Sequence, residues 1–109
     1  MFIFTPMRIS IPLADLPAPA PICLRQAGYH YQIDRRSGQE SYARHLTSAD
    51  YPRFHIYLLL ENGQAVFNLH LDQKRPSYGG GTHAHSGEYE GEIIRGEIQR
   101  LLPFLKTNK

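Results

Sequence analysis

R-F-H-I-Y-L-L-L-E-N-G-Q-A-V-F-N-L-H-L-D, residues 53–72, is the most strongly patterned part of the chain. Asn62-Gly63 separates two alternating runs, the strongest short-range signal of a β-hairpin, because a tight two-residue turn needs positive φ and these residues tolerate it. Pairing the runs about that turn sets Phe54, Ile56, Leu58 and Leu60 against Leu71, Leu69, Phe67 and Ala65 on one face. A slip of one residue would set apolar positions against polar ones, so the pattern specifies the register. The other face carries Arg53, His55, Tyr57 and Leu59 opposite Asp72, His70, Asn68 and Val66.

Toward the N-terminus, residues 29–46 read as another hairpin turning at Ser37-Gly38. That turn sets Ile33 against Tyr42, Tyr31 against Arg44, and His30 against His45. Residues 7–13, M-R-I-S-I-P-L, alternate as a strand that Pro12 ends or marks as an edge. Between them, residues 14–28 include L-P-A-P-A-P and read as an extended, proline-rich connector.

Toward the C-terminus, residues 73–87 form a glycine-rich loop, and a helix follows over 88–106. Glu88, Glu90 and Glu92 lie near the positive end of the helix dipole, with Arg95, Arg100 and Lys106 further along. Ile94, Ile98, Leu101, Leu102 and Leu105 form its apolar stripe. Gly91 and Gly96 are expected to allow a close approach to the sheet, and Pro103 to kink or end the helix. The expected fold is α+β: an antiparallel sheet of four to five strands, built on two hairpins, with one C-terminal amphipathic helix packed on one face. Residues 1–109 make a single domain.

Composition narrows the class. Apolar residues make up 41% and charged residues 20%, a globular balance rather than a disordered one. No apolar run reaches the length of a membrane span. The N-terminus lacks a basic leader, and Pro6, Arg8 and Pro12 interrupt its apolar stretch, which argues against a signal peptide; Met7 is an alternative start. A single cysteine, Cys23, rules out an intrachain disulfide and points to a reducing, cytoplasmic setting. A small core, and apolar Leu59 and Val66 beside Tyr57, suggest a homodimer.

Histidine provides the main chemical signal, with six in the chain. His55 faces His70 across the central hairpin, at the Cβ separation at which two imidazoles can share one ion. Asp72, His83 and His85 could complete a tetrahedral Zn²⁺ shell, and His30 with His45 forms a second pair. With an open coordination position, bound water would become a nucleophile and Glu88 a candidate base. Whether the protein is an enzyme is left open. Cys23 has no constrained base, and Ser86 has only sequence neighbours for a triad. The Gly79-Gly80-Gly81 run lacks a phosphate-loop pattern and meets acidic residues at the helix start.

The alternative is a single-stranded nucleic-acid-binding surface. Tyr57 would stack a base, while Arg53, Arg44, Arg35, Arg36, Lys74 and Arg75 would hold phosphates. The net charge of +2 is compatible with such a partner without demanding it. The order of four antiparallel strands followed by a helix resembles the Whirly and transcriptional-coactivator type of single-stranded DNA-binding protein. That resemblance lies in element order and not in any residue motif. It implies binding through the sheet and pairing through helices. A third reading is a structural or protein-interaction domain without catalysis.

Overall fold

A computed structural model describes residues 2–3, 6–74 and 86–106, with side chains over 7–73 and 91–106. The strands are β1 (Phe2–Ile3), β2 (Pro6–Pro12), β3 (His30–Ile33), β4 (Glu40–His45), β5 (Arg53–Glu61) and β6 (Gln64–Lys74). The helices are α1 (Ala20–Gln26) and α2 (Ser86–Leu105), and a 3-10 turn covers Leu13–Asp15. The sheet is antiparallel throughout. Its order is β6-β5-β4-β3, with β1 and β2 sharing the other side of β6. The fold is α+β, as the alternating patterns require.

The central hairpin has the expected register, from Arg53↔Asp72 to Glu61↔Gln64. Asn62 and Gly63 take φ of 52° and 72°, the left-handed pair that a tight hairpin turn needs. Phe54, Ile56, Phe67, Leu69 and Leu71 are fully buried on the apolar face, and β2 adds Ile11 beside them. Ile94, Leu101 and Leu105 of α2 close over that face, with Ile98 and Leu102 only half-buried. The helix runs through Pro103 and ends two residues later, so the proline falls in its last turn. Neither glycine brings the helix closer to the sheet: a methyl at Gly96 would meet open space, and one at Gly91 would meet only Arg95 of the same helix.

The N-terminal half departs from expectation in two further places. The stretch 14–28 is not an extended connector, because α1 occupies its second half. Pro19 is the N-cap and Pro21 lies in the first turn, where a missing N–H costs no hydrogen bond. The helix stops in a Schellman arrangement: Tyr29 N–H donates to Leu24 O (2.9 Å), Gly28 N–H donates to Arg25 O (3.0 Å), and Gly28 has φ +98°. Cys23 and Leu24 are thereby fully buried, the cysteine as a small hydrophobe.

The β3–β4 hairpin is offset by two residues from the expected pairing. His30 faces Ala43, Tyr31 faces Tyr42, and Ile33 faces Glu40. The cause is Asp34. Its carboxylate accepts from Arg36 N–H (2.8 Å) and Ser37 N–H (3.1 Å), which builds a wider turn ending at Gly38 with φ +74°. An offset of two preserves the faces, so the outward residues of the expected register remain outward.

Candidate ligand-binding face of the sheet

Both helices lie on one face of the sheet, and the opposite face holds most of the residues singled out for function. His55 and His70 are directly paired across β5 and β6. His55 is nonetheless buried, at 7% exposure, and both of its ring nitrogens are engaged. Nδ1 contacts Asp72 Oδ2, and Nε2 lies 2.8 Å from Gln32 Nε2. A carboxylate can only accept, so in the neutral ring Nδ1 carries the proton and Nε2 accepts from the Gln32 amide. Burial works against the Asp72 carboxylate, but the His55 hydrogen bond and the charges of His55 and Arg53 outweigh it, holding its pKa below the usual carboxylate value. Arg53 Nε stands 3.5 Å from Asp72 Oδ2, and its guanidinium lies 4.8 Å from the Tyr51 ring centre.

Tyr57 sits between the two histidines. Its ring is roughly stacked with His55 at 5.8 Å and meets His70 edge-on at 5.3 Å. The His70 pKa is lowered, chiefly because burial disfavours the charged ring; Asp72 pulls the other way. Arg8 of β2 donates from Nε to Asn68 Oδ1 at 3.2 Å. Arg8, Gln39, Tyr57, Asn68 and His70 line an open groove of about 550 Å³. Gln39 comes from the β3–β4 turn, and Arg8 from the far edge of the sheet.

His30 and His45 also come together despite the changed register. Their rings are nearly parallel with centres 5.5 Å apart, diagonal neighbours over Ala43. Among the described residues, no group of three or more His, Cys, Asp or Glu is arranged to hold a metal ion. His83, His85 and Arg75 lie outside the described residues, as do the side chains of Lys74 and Glu88. Arg35 and Arg36 are exposed in the β3–β4 turn. Arg44, grouped with the basic residues on sequence grounds, points to the helix side, where it is paired with Glu97 at 2.8 Å. It is therefore not part of the open face.

Two features escape sequence reasoning. The approach of Gln32 to His55 spans three strands and leaves no local pattern. Glu97 is buried at 3% exposure on the helix side, where it accepts from Tyr29 Oη (2.6 Å), Arg44 and Arg100. Its place on the stripe of Ile94, Ile98 and Leu101 is the available signal, since a carboxylate in the buried phase of a helix needs partners. No protein-family model, curated protein or solved structure matches the chain.

Proposed function

We propose that the open face of the sheet binds single-stranded nucleic acid. The carrying observation is the groove that places Tyr57 between Arg8 at one side and Gln39 at the other. An aromatic ring can stack a base of any identity, and nearby guanidinium groups can hold the backbone phosphates. Arg8 and the exposed Arg35 and Arg36 supply the positive charge, with Arg53 beside Asp72, whose carboxylate is tied to His55. Asn68, Gln39 and His70 offer polar atoms to base edges. This reading includes a homodimer and a cytoplasmic setting, the latter supported by the single buried thiol.

Fluorescence anisotropy of labelled oligonucleotides tests the proposal. Binding should be measurable at about 50 mM salt and weaken steeply as salt rises, because phosphate contacts release counterions. Tyr57→Ala should cost about 1–3 kcal/mol of affinity, the worth of one stacked base. Arg8→Ala should weaken binding and flatten the salt dependence. Undetectable binding at low salt by the folded protein overturns the proposal.

A second reading, one Zn²⁺ per chain, draws support from the Asp72–His55 pair. Metal-ligating histidines commonly donate their other ring N–H to a carboxylate, which aims the remaining nitrogen at the ion. Here His55 Nε2 would be the ligand once Gln32 moved aside, with His70 opposite and His83 or His85 completing the shell. Elemental analysis of untagged protein should then find about one equivalent of zinc, and His55→Ala should abolish it. Less than about 0.1 equivalent after dialysis against zinc overturns this reading.

A further inference from the structure

The two edges of the sheet differ in how they meet solvent. On one edge, β2 carries Pro6, Arg8 and Pro12, residue types that discourage further strand pairing. On the other edge, β3 is H-Y-Q-I, without proline, lysine or bulge. Among the described residues, no strand pairs with its outer side.

The hydrogen-bond phase of β3 shows which backbone groups are available. Asp34 N–H donates to Gln39 O at 2.9 Å, so residue 34 faces β4, and with it, two by two, Gln32 and His30. The N–H and C=O of Tyr31 and Ile33 therefore point away from the sheet. Both residues are also half exposed, at 50% and 52%. A row of unpaired backbone groups flanked by exposed apolar side chains is a template for strand addition.

We infer that the outer edge of β3 pairs antiparallel with β3 of a second copy, making one continuous sheet across the homodimer. A two-fold axis through Gln32 sets Tyr31 opposite Ile33 of the second copy, and Ile33 opposite its Tyr31. All four outward backbone groups of each strand then find partners. On the helix side, Ile33 of each copy meets the rim of a shallow cavity of about 260 Å³ lined by Ile22, Tyr31 and Tyr42 among others. On the open side, His30 comes opposite Asp34 of the second copy, a base against a carboxylate, and Gln32 opposite Gln32. The strand is thus self-complementary in backbone hydrogen bonding and in side-chain polarity: an imidazole that can donate stands against a carboxylate that accepts. Shifting the register by two toward the N-terminus would require Tyr29, whose N–H is already committed to Leu24 O.

This inference gives the proposed homodimer an interface and does not depend on what the open face binds. Sedimentation of the full chain should show a concentration-dependent dimer. Ile33→Pro removes an outward N–H without touching the ladder to β4, and should raise the dimer dissociation constant at least about tenfold. Gln32→Cys should form an intermolecular disulfide on mild oxidation, since residues on the axis sit in a non-hydrogen-bonded pair with Cα atoms about 4.5 Å apart. Ser10→Cys, on the opposite edge, should not. A monomer at high micromolar concentration overturns the homodimer itself. A dimer that survives Ile33→Pro and yields no Gln32→Cys cross-link leaves the homodimer standing and overturns this interface.

Discussion

Each face of the sheet takes one carboxylate largely out of water, and the two faces neutralise it with different chemistry. On the helix side, Glu97 is surrounded by Arg44, Arg100 and the Tyr29 hydroxyl. Burial opposes its charge, but the hydrogen bonds from Arg100, Arg44 and Tyr29 hold its pKa below the usual value. A guanidinium is a permanent charge in proteins and a fork of fixed donors. On the open side, Asp72 relies on His55, with Arg53 at 3.5 Å. The His55 ring stacks on Tyr57, which lines the groove, rather than lying under a helix. The first cluster joins α1, β4 and α2 into one body: Arg100 also donates to Ala27 O at 2.7 Å. The second shapes a surface that something else can contact.

This contrast can be broken from either side. Glu97→Gln should have the largest effect, about 2–3 kcal/mol of lost stability by denaturant titration. Removing one member of a buried ionic group leaves the others uncompensated, and Arg44 and Arg100 keep enough solvent to hold the loss below the roughly 3–5 kcal/mol of a fully buried pair. A loss below about 0.5 kcal/mol would show that the cluster does not join the helices to the sheet.

Asp72→Asn should cost less, about 1–2 kcal/mol, because the carboxylate is less buried and keeps one partner at ion-pair distance. It should also change the acid limb of stability. The folded-state pKa of Asp72 lies below its unfolded value, so its contribution is complete above about pH 4 and is lost as pH falls through the lower folded value. His70 acts in the same direction at higher pH. Its folded pKa is depressed, so stability begins to fall as pH drops below about 6.5, where the unfolded histidine takes up a proton first. Equilibrium unfolding across this range should therefore show an upper step that His70→Asn removes and a lower step that Asp72→Asn reduces.

Tyr29→Phe should have the smallest effect, about 1 kcal/mol, the net worth of one typical hydrogen bond, because the Glu97 carboxylate retains two arginines. Burial, followed by the charge and hydrogen bond of Glu97, raises the pKa of the Tyr29 phenol. Spectroscopic titration should find this tyrosine protonated until the protein unfolds in alkali.

The two faces are not equally legible in the sequence. Asn62-Gly63 and the alternation on either side specify the central hairpin so strongly that the pairing of His55 with His70 follows from them alone. The β3–β4 register is not legible in this way, because the Asp34 side chain rather than a two-residue turn sets the loop. Helix α1 is hidden because Pro19 and Pro21 suggest extended chain, yet both sit where a helix tolerates proline. The Tyr29–Glu97 contact joins residues 68 apart, beyond the reach of periodicity. The expected zinc shell draws on His83 and His85, which lie outside the described residues.

In the proposed function the open face, and not the helix side, meets the ligand. The most direct measurement is an NMR titration of isotope-labelled protein with a single-stranded oligonucleotide, following backbone amides on both faces. Saturable shifts are expected at Arg8, Tyr57, Asn68 and His70, with Tyr29, Glu97 and Arg100 unmoved. Shifts centred on Tyr29, Glu97 and Arg100, or none at the groove when oligonucleotide is in large excess, would contradict it.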